Sequence, residues 1–242
     1  MTMSRRAVCK AGLAVAAGFA FTRAADAAQA AERFTAPAAP DPRQRMLLRG
    51  GTIISLDPQI GNLATGDVLI EGKRIAAIGP NLSAGGAQVI DVANRILIPG
   101  FVDCHRHSWE GQLRRINPNA QTLAEYANAT HLSFATRYRP QDHYVGGLLT
   151  ALGCIDSGIT CVIDNSHNSR SAAHSDAAVE ALMDSGIRAV HASGAPQAGT
   201  WDQQWPGDLT RLKDKYFRSD DQLVTLRMFS PVNRENRGFL YN

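Results

Sequence analysis

The 242-residue chain is poor in cysteine, and none of it forms a framework. Cys9, Cys104, Cys154 and Cys161 include no C-x-x-C spacing, so neither that type of metal or redox site nor a disulfide scaffold is indicated. No G-x-S-x-G occurs, which disfavours a nucleophilic hydrolase. Charge is sparse: 19% of residues are charged, with a formal net charge of +3. The basic residues form no stripe with interleaved aromatics, so no nucleic-acid partner is expected. No apolar run reaches the ~20 residues of a membrane-spanning helix. What remains is a globular composition, 44% hydrophobic, with enough length to bury a core in one or two domains.

The N-terminal residues are set apart. Ser4-Arg5-Arg6-Ala7-Val8-Cys9-Lys10 resembles the twin-arginine export motif, and the apolar stretch from Ala11 to Phe21 suits a signal-peptide core. Ala25-Asp26-Ala27 and Ala28-Gln29-Ala30 both read as cleavage sites. Residues 1–30 are therefore expected to be a signal peptide, with export to the periplasm or beyond and no membrane partner in the mature chain. Residues 31–45, rich in Ala and Pro, read as a linker.

Two textures follow. Residues 46–97 carry short strand-like runs broken by Gly-Gly, Glu71-Gly72-Lys73 and Asn94-Arg95, and read as a small antiparallel β unit with a hairpin at Gly72. Residues 98–242 alternate strand and helix. Strands are predicted over Phe101–His107, Gly158–Asp164, Ile187–Ala192 and Leu223–Phe229. Helices are predicted over Thr122–Thr130, Gln141–Ser157, Ser175–Gly186 and Asp208–Tyr216. Such alternation implies a parallel sheet. An open doubly wound sheet would be expected to carry a glycine-rich phosphate turn after its first strand. None is present, which favours a (β/α)8 barrel. A whole barrel takes about 250 residues, so the expected fold class is α/β: the first half of a TIM-like barrel, about four strands, truncated, behind a small β unit.

The chemistry concentrates in Pro99-Gly100-Phe101-Val102-Asp103-Cys104-His105-Arg106-His107. Alternation along a strand points His105 and His107 to one face, where two imidazoles reach one cation above the strand end. Arg106 and Cys104 point the other way. In a barrel, the C-terminal strand ends build the active site. Asp164 and His167 lie at the second such end, and His191 near the third.

This stretch, with the β unit before it, resembles the amidohydrolase superfamily in its cytosine deaminase and chlorohydrolase-like branch. Gly158–Asp164 and Ala181–Val190 are similar to later segments of the same family. The resemblance implies that the β unit is a composite β-sandwich. It also implies one divalent metal, zinc or iron, held by His105 and His107 and by a later His and Asp that this chain does not show. The fourth strand has Arg227 where binuclear relatives carry a carboxylated Lys, which implies a mononuclear centre. The implied activity is hydrolysis of a non-peptide C–N or C–Cl bond by a metal-activated water. Hydrolysis of amide-like bonds and a non-catalytic interaction fragment are the alternatives. The acid/base groups are expected beyond Asn242, so the short chain is expected to be inactive.

Trp109, Glu110 and Gln112, in the loop after the motif, and His167 are the candidate substrate contacts. The expected partner is a small molecule, with a homo-oligomer left open. Asp103 is expected either to orient a ligand or to close a buried hydrogen bond. His131, His143 and His174 read as surface residues.

Overall fold

A computed structural model describes residues 41, 43–116 and 119–230. The expected signal peptide, residues 31–40 of the expected linker and residues 231–242 lie outside the described residues.

The first layer is a five-stranded sheet built from β1 (Arg45–Ile54), β2 (Asn62–Glu71), β3 (Arg74–Gly79), β4 (Gln88–Asp91) and β5 (Ile96–Leu97). Its order is β3-β2-β1-β4, with β5 also on β1. The β2–β3 hairpin turns at Gly72, whose φ of +56° suits a residue without a Cβ. The sheet is mixed rather than purely antiparallel. β1 pairs antiparallel with β2 but parallel with β4 and β5, because the chain crosses over before each of the two short strands instead of turning back. One buried carboxylate pins the irregularity in β1. Asp67 accepts hydrogen bonds from the Gly50 and Leu82 amides, both at 2.9 Å, where the β1–β2 register shifts between Leu48 and Gly51.

The second layer is a four-stranded parallel sheet in the order β6-β7-β8-β9. Its strands are β6 (Phe101–Arg106), β7 (Ile159–Ser166), β8 (Arg188–Ser193) and β9 (Val224–Met228). The connections carry α1 (Leu123–Ala127), α2 (Pro140–Asp156), α3 (Ala172–Ser185) and α4 (Asp208–Tyr216). This is the strand–helix repeat expected of the first half of a (β/α)8 barrel. Helix boundaries follow local chemistry. Pro140 opens α2 while Asp142 accepts the Arg139 amide at 2.8 Å. Gly186 ends α3 in the left-handed conformation, φ +73°.

Helices and sheet close over Ala151, Cys154, Val162, Leu182, Ile187, Ala189 and Val224. Each large side chain buried there stabilises by about 1.5–3 kcal/mol. This core fixes the strands beneath, so that their C-terminal ends and the following loops stand at one edge. Two glycines then set the first loop. A Cβ on Gly146 of α2 would lie 2.3 Å from the Trp109 carbonyl oxygen, and one on Gly111 would lie 2.4 Å from the Gly146 carbonyl oxygen. Backbone therefore rests on backbone, and the Ser108–Leu113 turn is held directly on α2.

Candidate metal centre

β6 ends at Arg106, and His107 begins the turn that follows. The His105 and His107 rings lie edge to face, 5.0 Å between centroids. The strand end is not regular: the β6–β7 register shifts between Asp103 and Arg106. That irregularity lets Asp103 reach Arg106 despite their opposite parity. Its carboxylate accepts from Arg106 Nε at 2.8 Å and from the His105 amide at 3.1 Å. Asp103 thus braces the backbone and Arg106 rather than a histidine ring.

His107 is oriented from β7. Its Nδ1 lies 2.8 Å from the Asn165 carbonyl oxygen. A carbonyl only accepts, so the ring proton is on Nδ1 and the lone pair is on Nε2. A ligating histidine is characteristically held this way, by its other nitrogen. Asp164 holds the next residue. Its Oδ1 accepts the Ser108 amide at 2.9 Å, and its Oδ2 lies 3.0 Å from His191 Nδ1. Burial pushes the Asp164 carboxyl up, but His191 and the Ser108 amide outweigh it and hold the group below its ordinary range. His191 is wholly buried, with Asp164 against its Nδ1.

The chain from Asp164 to Arg170 is polar at every position, and every residue in it is buried. Its centre is His167, 2% exposed, whose Nε2 lies 2.9 Å from His107 Nδ1. Since the His107 nitrogen carries the proton, His167 Nε2 faces it as an acceptor. Burial lowers the His167 pKa to about 3, with the neighbouring His107 and His131 adding to the effect, so the ring is neutral.

The other sequence candidates separate. Glu110 faces His107 and the cleft, and accepts the Tyr126 hydroxyl at 2.6 Å. Burial raises its pKa, against the lowering effect of that hydrogen bond. Trp109 is packed inside, its ring parallel to that of His143 at 6.2 Å and edge-on to His167 at 5.9 Å. Gln112 ties the loop to α2 by donating to the Asp142 carbonyl at 2.8 Å. The structure therefore brings Glu110 and His167 to the His pair, and places Trp109 and Gln112 in the packing behind them.

Two histidines expected on the surface are not there. His143 lies under Trp109, wholly buried, and its pKa is lowered by burial to about 3. His131 is 8% exposed and sits 4.9 Å from the His167 ring. After α1 the helix widens to π winding over Asn128–Phe134. The change of period turns His131 inward, and a regular 3.6-residue pattern does not show it. One donor atom each from Glu110, His131 and His167 falls within 4.8 Å of the others. A cleft of about 660 Å³ opens beside this group, lined by His105, His107, Glu110 and Tyr126 and continuing to Leu149 and Cys154 of α2.

No family model matches the chain. Over 154 residues it is 31% identical to a 5-methylthioadenosine/S-adenosylhomocysteine deaminase of Symbiobacterium thermophilum, covering 62% of this chain and 34% of that protein. The crystal structure of atrazine chlorohydrolase TrzN from Arthrobacter aurescens TC1, complexed with zinc, matches with a TM-score of 0.60 and 26% identity, over 76% of this chain and 46% of that one. Guanine deaminase from C. acetobutylicum shares the fold, with a TM-score of 0.60 at 19% identity over 78% of this chain and 48% of its own. The chain thus spans about a third of the curated relative and less than half of each solved structure. In strand order, in the His-x-His turn and by these likenesses, the chain is similar to the N-terminal portion of amidohydrolase superfamily proteins.

Proposed function

We propose that this chain provides the metal-binding first half of a hydrolase acting on a non-peptide C–N bond, or on C–Cl, of a small nitrogen heterocycle. The observation that carries the proposal is the state of His107. The Asn165 carbonyl accepts a hydrogen bond from its Nδ1–H, which leaves the Nε2 lone pair for a cation shared with His105. The donor set fits zinc or iron, which imidazole suits. When bound, such a metal supplies a water acidic enough to act as a nucleophile near neutral pH.

The chain's own groups do the rest. Asn165 and Asp164 fix the His107 turn. Glu110, its carboxyl pKa raised by burial, stands at the cleft wall where a bound heterocycle would meet it. His167 backs His107 from just beyond β7. The relatives include a deaminase of an adenine nucleoside and a chlorohydrolase of atrazine, which supports a planar heterocycle as substrate. The Ser4–Lys10 motif supports export by the twin-arginine route.

Metal analysis combined with ammonia or chloride release from purine and triazine compounds tests this. In a protein that supplies the second half of the barrel, turnover that needs zinc or iron, and that is lost with a chelator and in His107→Ala, is the expected result; this chain alone should bind the metal without turnover. Turnover indifferent to both would overturn the proposal. Catalytic zinc commonly takes three protein ligands, and His105 and His107 are two. Metal binding through the pair without turnover even in that longer protein would favour the second reading, a non-catalytic fragment.

A further inference from the structure

The His105–His107 pair is a ligand set two donors strong, but a three-donor set stands beside it. Glu110 comes from the turn after β6, His131 from the π-wound stretch after α1, and His167 from the end of β7. Three distant chain segments thus converge on one point with three ligating side chains. We propose that Glu110, His131 and His167 form a divalent-cation site of their own, complete within this chain and next to His107. This does not rest on the hydrolase reading.

The donor chemistry suits it. Two imidazoles and one carboxylate are a zinc-binding set that leaves a fourth position open. The three donor atoms already lie within 4.8 Å of one another. A tetrahedral shell at ~2.1 Å would bring them about 3.4 Å apart, a closure within reach of side-chain rotation. Burial points the same way. His131 and His167 are both more than nine-tenths buried. Burying two polar rings beside a carboxylate is costly, and a site built for packing alone would not gather them. A cation taking the His167 Nε2 lone pair leaves the His107 proton with its Asn165 carbonyl, so the two neighbouring sites do not compete for one tautomer.

The surroundings brace the set as a metal site is braced. Tyr126 donates to Glu110 at 2.6 Å and fixes one carboxylate oxygen. The Trp109 ring lies 5.9 Å from both histidine rings and walls them on one side. Two nitrogens and one oxygen select zinc or another borderline transition ion. Magnesium and calcium prefer oxygen shells.

The test is zinc titration calorimetry, with cobalt absorption as a second reading, on the full 242-residue chain. In a His105→Ala/His107→Ala background, one equivalent of zinc should still bind. Adding Glu110→Gln, or separately His131→Ala, to that background should weaken binding by at least about tenfold. Glu110→Gln is nearly isosteric, so it decides the matter if His131→Ala does not fold. The proposal is overturned if the double-alanine background binds no zinc, or if Glu110→Gln leaves its stoichiometry and affinity unchanged. Catalytic activity has no part in the readout, so failure here leaves the proposed hydrolase function standing, and the reverse.

Discussion

The two sheets treat polar side chains differently. In the mixed sheet, ion pairs stay outside: Arg45 reaches Glu71 across β1 and β2, with both groups partly exposed. Asp67 is its one buried carboxylate among the described residues, and two backbone amides satisfy it. In the parallel sheet, the end of β7 buries seven polar residues in a row, including a carboxylate, a histidine and an arginine. Burying such groups costs stability unless each is paired. A chain that needed only to fold would put apolar residues there, as it does lower in the same sheet at Val162 and Ala189. The first sheet shows how polar groups are arranged for folding alone. The second shows the cost of holding His107 and its neighbours in place.

Replacing Asp164 should sharpen this contrast most. Asp164→Ala leaves His191 buried without its carboxylate and the Ser108 amide without its acceptor. A loss of about 3–5 kcal/mol is expected, read by urea unfolding, together with weaker zinc binding at His107. A loss no larger than that of Asp67→Ala would erase the distinction between the sheets.

Acid should act through the same buried region. Burial lowers the His143 pKa from 6.5 to about 3 in the folded chain. The unfolded chain therefore takes up this proton near pH 6.5 while the folded chain does not. The contribution is fully present above pH 6.5 and falls away as pH drops towards 3. Thermal unfolding across that window should show the decline, and a flatter profile is expected for His143→Phe.

Gly146→Ala comes next. Its methyl meets the Trp109 carbonyl oxygen at 2.3 Å, and the strain should cost about 1–3 kcal/mol. Because Glu110 follows Trp109, cation affinity should fall along with stability. Asp67→Ala should cost about 1–3 kcal/mol, for two amides left unpaired in the mixed sheet, with no change in metal binding. Arg45→Ala should be smallest, within about 0.5 kcal/mol in the same unfolding assay.

The sequence showed where strands and helices alternate, because the buried parallel strands are short apolar runs and Gly186 marks a helix end. It also showed the His-x-His turn, whose chemistry is local. The mixed pairing of β4 and β5 was not legible, since both strands are too short to declare a direction. Nor was the role of His131. Its neighbours Leu132 and Phe134 are exposed while it is buried, the reverse of what hydropathy suggests. The Asn165 carbonyl that orients His107 is backbone, and no side-chain pattern reports it.

His105 and His107 also sit on or just beyond β6, which pairs on one side only among the described residues, with β7. Phe101 and Val102 at its start are 58% and 64% exposed. Strands with fewer partners open at lower free energy than central ones. Amide hydrogens of β6 should therefore exchange with solvent sooner than those of β7, and bound zinc should slow them preferentially. A metal held there would also tie down an edge strand of the sheet, so occupancy would be readable as exchange protection without any substrate.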